Sequence, residues 1–166
     1  MSIPVTDAAS FRRAASAYPT GVTVVTCAHQ DGSVHGMTAN SFVTVSADPP
    51  TVLIAVRRGG RMHALLSQQG RFGISVLGAQ DEWLSRHFAG KPDTDSLPSY
   101  REGPEVPILC SAVAYFACHV SQTVDVHDHT LFIAHVFECA AAPLSPLLFY
   151  RSRCHACHIA PEEKKS

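Results

Sequence analysis

The chain has 166 residues, a length that fits one domain with a buried core. Hydrophobic residues make up 46% of it and charged residues only 16%, so we expect part of the surface to be covered by a second copy in a homodimer. The net charge is −1 and Lys and Arg do not cluster, which argues against nucleic acid as a partner.

The N-terminal part of the chain predicts a helix followed by a β-hairpin. Thr6 and Asp7 can cap a helix that Pro19 ends, with an apolar stripe of Phe11, Ala14, Ala15 and Tyr18. The β-branched run over 21–27 predicts a strand, and QDGS at 30–33 predicts a tight turn. The alternating residues 36–46 predict one strand that completes the hairpin.

The rest of the chain predicts mostly strands. Residues 51–56 are wholly apolar and predict a central strand, and residues 61–70 predict a short helix ended by Gly70. A second short helix is expected within 79–90, followed by a Pro- and Gly-rich surface loop over 91–107. Further strands are expected over 71–78, 110–120, 130–141 and 146–153, the second and third of them joined through 121–129.

About six strands with only short helices predict a mainly β protein. A closed or nearly closed Greek-key β-barrel fits this pattern better than a parallel sheet with crossover helices. A β-sandwich is the alternative, because both architectures are antiparallel. We expect one domain over residues 1–153 and a mobile tail over residues 154–166.

One face of the predicted strand over 36–46 is polar but uncharged. By the two-residue period of a strand, the residues on this face are Thr38, Asn40, Phe42, Thr44 and Ser46. A face turned to water normally carries Lys or Glu. These residues could simply suit a partly exposed strand. They could instead bind a flat ligand rich in heteroatoms, such as an isoalloxazine ring, through hydroxyl and amide groups.

Two other segments could carry chemistry. Arg57-Arg58-Gly59-Gly60-Arg61 follows the apolar strand and could hold a phosphate through guanidinium and N–H groups, although a solvated basic turn has the same composition. His127 and His129 are two residues apart, so we expect them to project from one face. They could bind a metal, hydrogen-bond a substrate or lie in a turn. No third ligand is evident, and we predict no metal site.

The C-terminal residues Cys154-His155-Ala156-Cys157-His158 match the pattern of covalent haem attachment. That reaction generally needs export, yet the N-terminus lacks the apolar core of a signal peptide and no apolar run reaches membrane-spanning length. We therefore interpret the segment as a terminal tail. We expect a cytoplasmic protein that does not contact a membrane and whose six cysteines are reduced.

Several segments together resemble the short-chain flavin reductase family, which supplies the reductase component of two-component flavin monooxygenases. The resemblance runs from Phe11 to Arg153, and its most specific part is the block at 36–56. The segments are YPTGVTVVT, GMTANSFVTVSADPPTVLIAV, RFGISVLGAQDEWLSRHFAG, HDHTLFIAHV and PLLFYR. The resemblance implies an FMN-binding split β-barrel that is a homodimer, with flavin near the subunit interface. It also implies that NADH or NADPH reduces FMN or FAD, and that reduced flavin leaves for a partner monooxygenase.

The resemblance also assigns residues to the site. It places Thr38, Ala39, Asn40 and Ser41 against the isoalloxazine ring, with Ser46 nearby. The residues expected on the ribityl-phosphate side are Arg57, Arg58, His63, Phe88 and Ala89. Thr20 and Arg151 are further expected contacts with the cofactor. His129 is expected beside the nicotinamide, where it would orient the ring rather than remove a proton.

Two departures from the family pattern leave alternatives open. His127 stands where the family has Gly before Asp-His, which could narrow the nicotinamide site or change which dinucleotide enters. Gly59, Gly60 and Met62 replace the hydroxyl residues that often contact phosphate. A split-barrel enzyme that retains its flavin to act on an organic substrate is one alternative function. A non-catalytic flavin-, haem- or metal-binding protein is another.

Overall fold

The computed structural model describes residues 6–92, 95–101 and 105–157, which contain three helices and ten strands. The helices are α1 (Ala8–Ser16), α2 (Arg61–Gln69) and α3 (Glu82–Phe88). The strands are β1 (Thr20–Gly21), β2 (Thr23–Ala28), β3 (Val34–Ala39), β4 (Val43–Ala47), β5 (Pro50–Arg57), β6 (Arg71–Val76), β7 (Ala114–Val126), β8 (His129–Ala141), β9 (Leu147–Tyr150) and β10 (Arg153–Ala156). The predicted mainly β class is confirmed.

Seven strands form one antiparallel sheet in the order β3-β2-β6-β7-β8-β5-β4. The two outermost strands, β3 and β4, follow each other along the chain and are separated only by residues 40–42. The four Cα steps from Ala39 to Val43 span at most about 14 Å, so the two edges of the sheet must come close together at this point. The sheet therefore curls into the barrel that the sequence predicts.

The prediction of one strand over 36–46 is wrong. Alternation continues through the stretch, but the chain leaves β2 after Ala39 and pairs with β5 from Val43 onwards. The main sheet consequently has seven strands, where the sequence predicted about six in all. Residues 121–126 also differ from expectation, because they extend β7 and leave only His127 and Asp128 to connect it to β8.

The barrel interior holds the larger apolar core. Phe72, Phe132 and Ile54 are fully buried there, and each stabilises the fold by roughly 2–3 kcal/mol relative to an exposed side chain. Helix α2 adds Met62, Leu65 and Leu66 to the same cluster. The helix ends where Gly70 adopts a left-handed conformation at φ 66° and donates its N–H to Leu66 O, as the sequence predicted.

Two cysteines belong to this core. Cys27 and Cys118 are buried, and burial raises the pKa of each thiol to about 12. All six cysteines of the chain are free thiols. No helix in the described part of the chain is both long enough and apolar enough to cross a membrane.

A second apolar cluster ties α3 and the three-stranded sheet β1-β9-β10 to the barrel. Its buried members are Val22, Val24, Leu77, Leu84, Leu109 and Leu147. Cys154 of β10 packs against this cluster, and β10 pairs with β9 from Arg153 to Ala156. This strand lies across the expected domain boundary at residue 153. Residues 158–166 of the expected tail lie outside the described residues.

Helix α1 contributes no buried side chain. Asp7 caps it by accepting a hydrogen bond from Ser10 N–H at 2.7 Å. Its apolar stripe is nevertheless open to solvent in the single chain, with Phe11 65% and Tyr18 74% exposed. The amphipathic pattern predicted the helix correctly.

The contact between Gly36 on β3 and the end of α3 can be tested by mutation. A Cβ at this position would overlap the ring of Phe88. We predict that Gly36→Ala lowers the free energy of unfolding by about 1–3 kcal/mol, because the ring and the end of α3 must move. Urea denaturation measures the change. Gly21→Ala is the matched control, since a Cβ there meets nothing within 4 Å, and equal destabilisation by both variants would contradict the prediction.

Candidate functional site

A cavity of about 250 Å³ lies where the end of β3 meets α3 and β9. It is lined by Val22, Thr38, Ala39, Asn40, Ser85, Ala89 and Phe149. Four residues predicted for the cofactor site, Thr38, Ala39, Asn40 and Ala89, are therefore brought together. No charged residue lines the cavity, which suits a neutral, flat ligand that needs hydrogen bonds.

The hydroxyl groups in this region are already used as donors. Thr38 Oγ1 donates to Ser85 O on α3 at 2.7 Å. Ser41 Oγ donates to Ala55 O at 2.9 Å and accepts from Ala55 N–H at 3.2 Å. Each hydroxyl carries one proton, so Thr38 and Ser41 can offer a ligand only acceptor lone pairs. Donors must come from the Asn40 amide and from backbone N–H groups.

Two buried polar side-chain atoms have no hydrogen-bond partner among the described residues. They are Thr20 Oγ1 and His87 Nδ1. Thr20 on β1 is paired with Phe149, and His87 belongs to α3, but neither residue itself lines the cavity. An unpaired buried polar atom costs about 1–3 kcal/mol. The fit to a flavin ring rests instead on the cavity lining, where the Asn40 amide and the Thr38 hydroxyl can hydrogen-bond to nitrogen and oxygen atoms along the edge of the ring.

Three other predicted contacts lie outside the cavity lining. Phe88 packs against Gly36 and the ring of His87, with the two ring centroids 4.9 Å apart. Ser46 is exposed and donates to Asp48 O at 3.1 Å. Arg151 occupies the turn between β9 and β10, where its guanidinium lies over the ring of Tyr150. For all three residues, contact with the cofactor stays a prediction.

The remaining predicted site residues gather at the turn between β7 and β8. Arg57 lies 3.8 Å from Asp128, and Arg58 contacts Asp125 and the carbonyl of His127. Arg61 instead faces His29 at 2.9 Å. Each of the three guanidinium groups contacts a different protein acceptor, and their binding of a phosphate stays a prediction. His63 is hydrogen-bonded to Thr130 at 2.9 Å.

His129 is the first residue of β8 and lies beside Asp128. Its Nδ1 is 2.9 Å from Asp128 Oδ1, and this hydrogen bond lowers the pKa of the Asp128 carboxyl. In the neutral imidazole, Nδ1 therefore carries the proton and Nε2 is free to accept a hydrogen bond. The side chain is 44% exposed, so a ligand can reach it.

The expectation that His127 and His129 share one face is wrong. His127 is the first residue of a two-residue turn and has φ 51°, while His129 is already in the strand. Only His127 of the two turn residues has a positive φ, and Gly is the usual residue at such a position. The backbone conformation thus accounts for the Gly that the family has here.

Some residues of the site were missed by sequence reasoning. Val22, Ser85 and Phe149 line the cavity, and Thr130 and Asp125 support the turn. Ser85 presents its backbone carbonyl to Thr38, which no side-chain pattern signals. Phe149 lies in the segment PLLFYR, whose resemblance to the family was the one available signal.

The C-terminal Cys/His pattern is divided between two faces of β10. Cys154 faces the apolar cluster 3.9 Å from Ser85 Oγ, and burial raises the pKa of its thiol. His155 lies on the opposite face, beside Tyr150. Within the described residues, no group of three or more His, Cys, Asp or Glu side chains could hold a metal ion. His158 lies outside the described residues.

We predict that His127→Gly raises the free energy of unfolding by about 1 kcal/mol, because a left-handed conformation is unfavourable for a residue with a Cβ. Urea denaturation measures the change. His135→Gly is the control. This residue is exposed in β8 and outside any turn, so Gly should destabilise the strand there by about 0.5–1 kcal/mol. Destabilisation by both variants would contradict the turn assignment.

Comparison with known proteins agrees with these features. The sequence profile of the flavin reductase like domain matches residues 15–158. An NADH-dependent flavin reductase, StyB, of Pseudomonas fluorescens is 46% identical over 155 residues, covering 90% of this chain and 89% of that protein. An NADH-dependent FAD reductase of Streptomyces globisporus is 37% identical over 144 residues, covering 82% of this chain and 78% of that protein.

The fold has a similar solved structure, the styrene monooxygenase flavin reductase of Pseudomonas putida S12. It superposes with a TM-score of 0.84 at 43% sequence identity, covering 90% of this chain and 98% of that one. The split β-barrel predicted from the resemblance is confirmed by this likeness and by the strand order. The chain therefore belongs to the flavin reductase family.

Proposed function

We propose that the chain is an NADH-dependent flavin reductase that supplies reduced flavin to a partner monooxygenase. The observation that carries the proposal is the uncharged cavity that brings together Thr38, Ala39, Asn40 and Ala89, in a chain of this family. Two of the proteins named above are an NADH-dependent flavin reductase and an NADH-dependent FAD reductase, and the third is the flavin reductase of a styrene monooxygenase. FMN and FAD both remain candidate substrates.

When bound, the flavin supplies the chemistry, because its ring accepts a hydride from the nicotinamide. The protein has to bind the flavin, orient the dinucleotide and keep the two reacting atoms close. Ala39 is small and allows the backbone of β3 to approach a ring. The Asn40 amide can donate a hydrogen bond to a ring oxygen, and Thr38 Oγ1 can accept one from a ring N–H.

His129 is proposed to orient the nicotinamide. Its Nδ1–H is held by Asp128, which fixes the plane of the ring and leaves Nε2 as an acceptor. A carboxamide NH₂ group is a suitable donor to that nitrogen. The role is one of positioning by a direct hydrogen bond, and no proton needs to be removed by His129 for hydride transfer.

NADH is the proposed reductant rather than NADPH. A 2′-phosphate is usually bound by free guanidinium or ammonium groups. Arg57, Arg58 and Arg61 already face Asp128, Asp125 and His29 respectively. A 2′-phosphate near this loop would also meet the negative charges of Asp125 and Asp128, which disfavour it.

The homodimer is also part of the proposal. Strand β4 is exposed along its whole length at one edge of the sheet, with Val43 52% and Val45 56% exposed. Val124, Val126 and Phe137 on β7 and β8 add to the exposed apolar surface. A second copy would cover such surface and protect the open strand edge. Sedimentation equilibrium tests this, and the mass of a single chain, 17.9 kDa, would contradict it.

The cytoplasm is the proposed location. All six cysteines are free, and Cys110 and Cys139 are exposed. Exposed thiols persist in a reducing compartment. Fractionation of the native host would test the location, and recovery of the protein outside the cytoplasm would contradict it.

The first experiment follows NADH and NADPH oxidation by absorbance with FMN or FAD added in increasing amounts. We predict turnover that saturates with free flavin and is faster with NADH. Turnover that does not depend on added flavin, in a protein that stays yellow, would favour an enzyme that retains its flavin. No turnover with any pair of cofactors would overturn the reductase proposal.

A second prediction concerns His129. We expect His129→Ala to raise the KM for NADH by roughly tenfold while the KM for flavin changes by less than about twofold, because the variant removes one hydrogen bond to the nicotinamide. Steady-state kinetics with each substrate varied in turn measure both values. Ser121→Ala, which removes an exposed hydroxyl from the same hairpin, is the control. Equal rises in both KM values would show that His129 is structural.

A further inference from the structure

A line of hydrogen bonds connects α2 with the turn that precedes His129. His63 Nε2 lies 2.9 Å from Thr130 Oγ1, and Thr130 donates to Asp125 Oδ1 at 2.7 Å. Arg58 then donates to Asp125 Oδ2 at 3.4 Å and to the carbonyl of His127. We call Thr130, Asp125 and Arg58 the turn support.

The direction of these hydrogen bonds follows from Thr130. Its hydroxyl has a single proton, which goes to the carboxylate of Asp125, an acceptor only. His63 must therefore donate its Nε2–H to Thr130. In the neutral imidazole of His63 the proton is therefore on Nε2. The donor and the acceptor of each hydrogen bond from α2 to the turn are then defined.

The inner end of the turn support is rigid. Thr130 is only 4% exposed, and its backbone is paired with Val56 on one side and with Asp125 on the other. The outer end is exposed, since the side chains of Arg58 and Asp125 are 47% and 67% accessible. An exposed ion pair is weak by itself, so the buried threonine is what gives this pair a defined geometry.

The turn needs external support for two reasons. His127 holds a positive φ without being Gly. In addition, β7 pairs with β6 only as far as His119. Beyond that residue, the β7–β8 hairpin is flanked by another strand of the described chain only on its β8 side, by β5. Arg58 binds both turn carbonyls, His127 O through its guanidinium and Asp128 O through its backbone N–H at 2.9 Å.

We propose that Thr130 and Asp125 are positioning residues for the reductase reaction. Together they hold Arg58 against the turn, and the turn sets where the His129 ring meets the nicotinamide. Neither residue touches a substrate. The inference rests on the proposed function, because it assigns to these residues the orientation of the dinucleotide that His129 is proposed to bind.

The test compares Thr130→Val with Thr130→Ser. The Val side chain has nearly the shape of Thr but no hydroxyl, whereas Ser keeps the hydroxyl. We expect Thr130→Val to raise the KM for NADH roughly fivefold, the effect of one lost hydrogen bond, with kcat and the KM for flavin within about twofold of wild type. Thr130→Ser should restore the wild-type KM for NADH. Ser121→Ala, which loses a β7-to-β8 hydrogen bond outside the turn support, is the control.

A second variant, Asp125→Asn, tests the exposed end of the same line and does not disturb the core. It should raise the KM for NADH to a similar extent, and the double variant with Thr130→Val should be no worse than either single variant, because both break one connected line. If Thr130→Val fails to fold, Asp125→Asn and Thr130→Ser still decide the matter.

Three results would overturn the inference while leaving the proposed function standing. They are an unchanged KM for NADH in Thr130→Val and Asp125→Asn, equal rises in the KM for NADH and flavin, and a Ser variant as impaired as the Val variant. Absence of flavin-dependent turnover in the wild-type protein is a separate result, because it would overturn the proposed function itself.

Discussion

The Ser41 hydroxyl replaces a strand-to-strand backbone contact at the point where the barrel closes. It donates to Ala55 O and accepts from Ala55 N–H, so one side chain satisfies both backbone groups of a residue on β5. This contact lets the chain cross from one edge of the sheet to the other over residues 40–42 without leaving those groups unpaired. The cavity lies beside this crossing because β3 ends there and no strand continues its edge.

Hydrogen bonds within the protein also limit what the hydroxyl groups beside the cavity can offer a ligand. Thr38 uses its proton to hold α3, and Ser41 uses its proton to hold β5. What remains for a ligand is a set of acceptor lone pairs, one amide and backbone N–H groups. Such a surface can match the edge of a flavin ring, yet it contains no charge to hold the flavin strongly. Modest affinity is what a protein needs if its reduced product must leave for another enzyme.

Sequence reasoning worked where a residue's role depends on its neighbours along the chain. The apolar run over 51–56 and the Gly70 stop were recognised because strand composition and a left-handed helix cap are local signals. The resemblance supplied Thr38, Ala39, Asn40 and Ala89, which the fold does bring together. The break at residues 40–42 was missed, because the two-residue alternation of side chains passes through it without interruption.

Contacts between residues that are far apart along the chain could not be predicted from the sequence. The loop over 57–61 has the composition of a phosphate cradle, but each of its three guanidinium groups contacts an acceptor between 32 and 71 residues away along the chain. These contacts are Arg61 to His29, Arg58 to Asp125 and Arg57 to Asp128. At His127, in contrast, the structure explains a difference from the family that the sequence had already revealed. Its φ of 51° gives a physical reason for a family glycine that sequence comparison could only note as a departure.

The buried thiols of the core have a consequence for an enzyme that releases reduced flavin. Free reduced flavin reacts with oxygen to form peroxide, and peroxide oxidises thiolates much faster than thiols. With a pKa of about 12, Cys27 and Cys118 are almost entirely protonated at neutral pH, and burial also keeps peroxide away from them. The barrel interior is thus chemically resistant to the by-product that its own turnover would generate.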